Sequence, residues 1–292
     1  MTQTTASQTI HVNDVDLSWS ERGSGAADTP TLVLVHGYTG SSHDFALQAD
    51  ALAADRRVVV LDQRGHGHST KTGSLEGYRI EQLADDLAAF LDAVGDGPVD
   101  LLGHSMGGRV VMTMAVRRPD LVRSLVLMDT SAWSFQPEDD KVRAMVTDYI
   151  TAFDPARGMP PTLSLGGPED ELIAAEVPSA WQEQKDGIFA GMDAYAVKGL
   201  GMELWTDVPD GDGSLRSRLS SLACPTTVLV GEHDVPLVGQ AEALADEIPG
   251  AVLVVIDGAY HSPQLTHPDE WRAALEAHLD RAGSGPGSGD PR

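Results

Sequence analysis

The chain has a single cysteine, Cys224, so no disulfide can form within it. That thiol heads the apolar run LACPTTVLV, where the expectation is a small buried residue rather than a nucleophile. Positive charge is scarce: 20 Lys+Arg stand against 44 Asp+Glu, a formal net charge of -24. Such a surface repels phosphate backbones and anionic headgroups, which argues against nucleic-acid and membrane-surface partners. Lysine is the rarer cation, present only as Lys71, Lys141, Lys185 and Lys198. No apolar run approaches the roughly 20 residues of a membrane span. The opening MTQTTASQTI has no basic segment leading into an apolar one, so no secretory signal is expected and a cytoplasmic location is. The glycines of RGHGHS (64–69) form no dinucleotide fingerprint, and no G-x-x-x-x-G-K-[ST] phosphate loop occurs. The histidines and acids show no convergent metal-ligand spacing. Neither a cofactor nor a metal is expected.

What is present is an alternation. Six short runs rich in Val and Leu end in Gly, Asp, Ser or Thr: 31–37, 57–65, 99–105, 124–130, 226–234 and 251–258. Continuous apolar runs of this length suit strands buried on both faces. Helical patterns separate most of them, at 78–95, 109–120, 237–250 and 268–283. Strand–helix alternation implies a mostly parallel sheet flanked by helices. Val12, Val15, Leu17 and Trp19 instead alternate, as in an edge hairpin over 11–23. The pattern breaks over 132–213, where prolines cluster and the periodic parts, 138–153 and 179–197, are helical. The reading is a core of 1–131 and 214–282, a helical insertion of 132–213, and a Gly/Ser/Pro-rich disordered tail of 283–292.

Within LLGHSMGGR (101–109), Ser105 stands between glycines where a strand gives way to a helix. G-x-S-x-G in that context is the pattern of a nucleophile elbow: small neighbours allow a sharp turn that lifts the hydroxyl clear of the sheet. A helix-capping serine is the plainer alternative. A serine needs a base, and the base needs an orienting carboxylate. Asp234 ends the run VLVGEHD and His261 follows VVIDGAYH, in the order Ser…Asp…His. Asp129, after SLVLM, is the alternative acid. Upstream, HGYTG (36–40) ends a strand where a backbone N–H can face a substrate oxygen.

HGYTGSS, DQRGHGHS, GHSMGG, VLVGEHD and DGAYH together resemble the α/β-hydrolase fold superfamily over residues 10–282, in its serine-nucleophile branch with a helical lid. The resemblance implies Ser105 as nucleophile, Asp234 as acid, His261 as base, and the backbone N–H groups of Tyr38 and Met106 as oxyanion-hole donors. It makes 132–213 the lid and His36, His66 and His104 scaffold positions. His11 is expected to be structural, and His43, His68, His233, His267 and His278 to lie in loops or at the surface. Two departures stand out. Tyr260 occupies a position often held by Gly in the family, and Thr266 one often held by Glu.

The lid supplies Trp133, Phe135, Met159, Trp181, Phe189, Met192, Tyr195, Met202 and Trp205, suited to a partly apolar small-molecule substrate. Trp133, Phe189, Trp205 and Tyr260 are the candidates for touching it. The expected reaction is hydrolysis of an ester, thioester, lactone or related carbonyl bond, carbon–carbon bonds included. Ser105 disfavours the dehalogenases and epoxide hydrolases of this fold, which carry Asp at the elbow. A cofactor-free perhydrolase or haloperoxidase-like enzyme is an alternative, as is a ligand receptor on a retained hydrolase scaffold. HGYTGSS with SMGGR is also similar to a menaquinone-pathway lyase that eliminates pyruvate. There Arg109 would hold a carboxylate, with Arg143 and Arg157 as the further anion anchors.

Overall fold

The N-terminal alternation becomes a hairpin of β1 (Gln8–Val12) and β2 (Val15–Arg22). The six apolar runs become β3 (Leu32–Val35), β4 (Val58–Leu61), β5 (Val99–His104), β6 (Val122–Met128), β7 (Thr226–Gly231) and β8 (Val252–Ile256). The computed structural model describes residues 7–25, 29–94, 97–134, 140–159, 167–206 and 213–284. One sheet runs in the order β1-β2-β4-β3-β5-β6-β7-β8, antiparallel at β1/β2 and β2/β4 and parallel elsewhere.

Why the runs are continuously apolar is visible in the packing. Side chains alternate across a strand. Val33, Val35, Leu101, Leu125, Leu127 and Val228 therefore join one core, and Leu32, Leu34, Leu102, Val126, Met128 and Leu229 the other. The first core is closed by α2 (Ile80–Val94), α3 (Met106–Arg117) and α8 (Val235–Glu247). The second is closed by α1 (Ala46–Leu52) and α10 (Pro268–Gly283), the latter through Trp271, Leu275 and Leu279. Each such side chain contributes about 1.5–3 kcal/mol by leaving water.

Between β6 and β7 lie α4 (Asp140–Ala152), α5 (Pro168–Glu176), α6 (Ser179–Ala190) and α7 (Ala194–Trp205). The stretch 179–197, expected as one helical pattern, is two helices. Gly191 ends α6, and the Asp193 side chain caps α7 by accepting from the Tyr195 N–H at 2.9 Å. The periodicity missed α1, α5 and α9 (Pro263–Thr266), which at 7, 9 and 4 residues are too short to show a sustained stripe. Part of the expected insertion, 135–139, 160–166 and 207–212, lies outside the described residues. So do Gly95 and tail residues 285–292; Gly283, placed in that tail, still belongs to α10. Among the described residues no helix is long and apolar enough to cross a membrane.

A charge cluster, buried at Arg64 and Asp86 and exposed at Asp14, ties the hairpin to the helical layer. Arg64 is 1% exposed; its Nη2 donates to Asp86 Oδ1 at 2.9 Å and to Asp14 Oδ1 at 2.7 Å, and its Nε donates to the other Asp86 oxygen. Asn13 Nδ2 adds a bond to Asp86 Oδ1 at 2.8 Å. Removing one member of such a pair strands a charge in the interior, which costs about 3–5 kcal/mol. Asp86→Ala is therefore expected to lower the unfolding free energy by about that amount in a urea titration. A loss under about 1 kcal/mol would mean that Asp14 and water together compensate Arg64.

Candidate active site

β5 ends at His104 and α3 begins at Met106, leaving Ser105 to make the turn alone at φ 54°, ψ -119°. A non-glycine residue in that region stores about 1–3 kcal/mol of strain. The surroundings over-determine it. A Cβ on Gly103 would come within 2.5 Å of the Gly107 carbonyl oxygen, and one on Gly107 within 2.5 Å of that of His36. The Ser105 N–H donates to the Met128 carbonyl at 2.8 Å, and Thr130 Oγ1 donates to the Ser105 carbonyl at 2.6 Å. The glycine spacing in GHSMG thus has a steric cause, and neighbouring strands hold the raised hydroxyl in place.

The structure brings Ser105, His261 and Asp234 into one hydrogen-bonded chain. His261 Nε2 lies 3.0 Å from Ser105 Oγ, and its Nδ1 lies 2.6 Å from Asp234 Oδ2. Asp234 follows β7 and precedes α8; His261 sits in the loop after β8. His104 steadies that loop, donating from Nε2 to the His261 carbonyl at 2.8 Å. Burial, then the neighbouring His261, push the His104 pKa down to about 3, so it remains a neutral donor. Burial also pulls on His261, but the charge and hydrogen bond of Asp234, aided by the charge of Glu169, outweigh it and leave its pKa raised. Glu169, on α5, accepts from the Ser262 N–H beside it.

Asp129 lies behind Asp234. It is fully buried, and its Oδ1 accepts from the Gly231 N–H at 2.9 Å. Burial, and then the charge of Asp234, push its pKa well up, favouring the neutral form. Asp234 is thus the carboxylate bonded to His261. Asp129, Asp234 and His261 also place one ligand atom each within 4.8 Å of the others, the convergence a metal would need. The 2.6 Å contact between His261 and Asp234 is nevertheless a hydrogen bond. Two ligands of a tetrahedral zinc at about 2.0 Å would stand about 3.3 Å apart.

The chain ends at a cavity of about 320 Å³, the small end of the range for ligand sites. Gly37, Tyr38, Thr39 and Gly40 form one wall; Lys185, Trp205, Leu237 and Gln264 complete others. Met106 is the first residue of α3, so its N–H has no intrahelical partner. The Tyr38 loop rests on the segment 62–68. Gln63 donates its N–H to His36 Nε2 at 3.0 Å and its Nε2 to the His36 carbonyl at 2.8 Å. His66 Nε2 meets the Tyr38 carbonyl at 2.7 Å, and Asp62 accepts from the Ser42 and His68 N–H groups at 2.7 and 2.9 Å. Outward, the Tyr38 hydroxyl donates to the Val197 carbonyl of α7 and its ring meets Trp205 edge-on at 5.1 Å.

Of the residues expected near substrate, Trp205 lines the cavity; Arg109, Trp133, Phe189 and Tyr260 do not. The Arg109 guanidinium donates to the backbone carbonyls of Ser131 and Glu203, each at 3.2 Å, and to that of Trp133. The Trp133 ring lies under Arg216 at 4.7 Å, and Tyr260 packs against His233 at 5.1 Å. Phe189 is half-buried on α6, and Phe135 lies outside the described residues. Arg143 and Arg157 pair with Asp140 and Asp154, away from the cavity. His43 and His278, expected in loops or at the surface, are buried, bonded to the Trp181 carbonyl at 3.0 Å and Thr227 Oγ1 at 2.7 Å. Sequence reasoning missed Lys185. The available signal was its position four residues after Trp181, on the same helical face.

The profile of the alpha/beta hydrolase fold matches residues 30–268. A provisionally named carbamate hydrolase of Pantoea ananatis is 30% identical over 278 residues, covering 92% of this chain and 94% of that protein. A 2-(acetamidomethylene)succinate hydrolase of Mesorhizobium japonicum is 27% identical over 277 residues, covering 94% of this chain and 95% of that one. Among solved structures, a thermophilic esterase from Thermogutta terrifontis is similar with a TM-score of 0.71 at 26% identity, covering 95% of this chain and 99% of the esterase.

The electrostatics of the chain can be read directly. In an NMR titration the His261 ring is expected to lose its proton above the ordinary histidine value of about 6.5. Asp234→Asn removes the stabilising charge and lowers that midpoint, whereas Asp129→Asn, at a carboxyl whose burial and charged neighbour disfavour ionisation, moves it less. The reverse ranking would make Asp129 the charged partner.

Proposed function

The chain belongs to the α/β-hydrolase family, and we propose that it is a serine hydrolase that opens an ester, thioester, lactone or related carbonyl bond through an acyl-enzyme at Ser105. The observation that carries this reading is the unbroken chain from Ser105 Oγ through His261 to Asp234, ending at a cavity. Ser105 Oγ attacks the carbonyl carbon while His261 Nε2 takes its proton. Asp234 stabilises the resulting imidazolium. The N–H groups of Tyr38 and Met106 bind the oxyanion, preorganised dipoles where charge develops. The leaving group departs with the proton from His261. Water, deprotonated by the same ring, then releases the acid and restores Ser105.

Helices α4 to α7 serve in this reading as a lid, with Trp205 and Lys185 reaching the cavity. Relatives named for a carbamate, a substituted succinate and an ester favour a carbonyl substrate. The lyase alternative loses its anchor, because Arg109 is turned to three backbone carbonyls rather than to the cavity.

A fluorophosphonate is expected to add once per chain, and Ser105→Ala to abolish the labelling. With activated esters of graded acyl length, Ser105→Ala should reduce kcat on the order of 10⁶-fold. Asp234→Asn should reduce it by about 10⁴-fold. Labelling of both forms alike would defeat the assignment of Ser105. Stoichiometric binding without turnover of any ester would point to a receptor instead.

A further inference from the structure

The cavity contains one side chain that hydrolysis of a neutral ester does not require. Lys185, on α6, lines it together with Asp44, Gly40, Gln264, Ser105 and His261. One turn earlier on the same helix, Trp181 is 5% exposed and stacks on His43 at 4.8 Å, anchoring this face to the core. The Trp181 indole N–H donates to the His43 carbonyl at 3.2 Å, and the Lys185 ammonium lies 5.3 Å from the Trp181 ring. The Lys185 side chain thereby lines the same cavity as Ser105 and His261.

Lys185 Nζ lies 3.6 Å from Asp44 Oδ1, beyond a direct hydrogen bond, and that buried oxygen has no hydrogen-bond partner. An ammonium carries three donors, so the Asp44 contact leaves donors for the cavity. Neither Arg109 nor Lys198 lines the cavity, and both are committed elsewhere. Arg109 serves three backbone carbonyls, and Lys198 donates to those of Ile150 and Thr151, each at 2.6 Å. The chain as a whole carries -24, a field that drives anions away. Placing an ammonium at this cavity opposes that field where a ligand would sit. Asp44 limits what it can hold: next to that carboxylate, one ammonium suits a single negative charge better than a doubly charged phosphate.

We propose that the substrate is a small ester or lactone bearing a carboxylate, which Lys185 binds while Ser105 attacks the carbonyl. The proposal rests on the serine-hydrolase reading and adds its substrate class. Two matched pairs of substrates test it. The 4-nitrophenyl monoester of glutarate against 4-nitrophenyl pentanoate puts the charge on the acyl side. The acetate ester of 4-hydroxybenzoate against phenyl acetate puts it on the leaving group. Each kcat/KM is divided by the alkaline hydrolysis rate of the same compound. In the parent protein at least one pair is expected to favour its anionic member ten-fold or more. Lys185→Met should cut that preference at least ten-fold, and Lys185→Arg should keep most of it. Labelling of Ser105 by a neutral fluorophosphonate shows that each variant is folded. Normal labelling with no anionic preference in either pair overturns the proposal alone, as does a preference that survives Lys185→Met. A parent protein that does not label loses the acyl-enzyme reading and this proposal together.

Discussion

The geometry of the site depends on the backbone at Ser105, held at φ 54° in a region that non-glycine residues avoid. Left to itself, a strand running into a helix would relax that turn. It cannot relax here because Gly103 and Gly107 let two chain segments approach so closely that a Cβ on either would collide with a carbonyl oxygen. Flanking bonds from the Ser105 N–H and to its carbonyl tie the turn to β6 and the residues after it. The cost of about 1–3 kcal/mol is carried by a sheet whose central strands are buried on both faces. The rigid layer therefore underlies the raised hydroxyl.

The same sheet sets everything that faces Ser105. Asp234 and His261 lie just past the C-terminal ends of β7 and β8, and the Tyr38 loop just past that of β3. Parallel strands bring these ends to one side. Histidines then brace the loops: His36 and His66 hold the Tyr38 loop to the segment after β4, and His104 holds the carbonyl of His261. In His104, burial disfavours the charged form, which suits a structural donor. His261 differs because Asp234 supplies a compensating charge at 2.6 Å. One residue type thus takes two tasks, separated by whether a carboxylate is within reach.

Helices α4 to α7 contribute differently. They touch the site through a few residues whose directions are fixed by contacts with the core: Tyr38 to Val197, Trp181 to His43, Glu169 to Ser262. Among the described residues between β6 and β7, most aromatic side chains pack away from the cavity, as Trp133 does beneath Arg216. What these helices bring to the cavity is mixed, an indole from Trp205 and an ammonium from Lys185.

Local rules made the strands legible from sequence. The stretches LVLV (32–35) and LVLM (125–128) are apolar at every position because both faces of the sheet are covered there, and that signal needs no knowledge of the partner helices. GHSMG was legible because the steric demand of the turn falls on adjacent residues. The order Ser105, Asp234, His261 followed from strand ends. Four decisions belonged to the tertiary structure. The pairing of Asp234 rather than Asp129 with His261 turns on where two neighbouring strand ends project. The direction of Arg109 turns on carbonyls from Ser131, Trp133 and Glu203, remote in sequence. The split of 179–197 into two helices turns on Asp193, which caps α7 while its N–H donates to the Gly65 carbonyl and its carboxylate accepts from the Tyr78 hydroxyl. The place of Lys185 turns on how α6 docks, since each residue along a helix rotates the side chain by about 100°. Spacing can say that Lys185 shares a face with Trp181; only the packing of that face against His43 decides that it lines the cavity at Ser105.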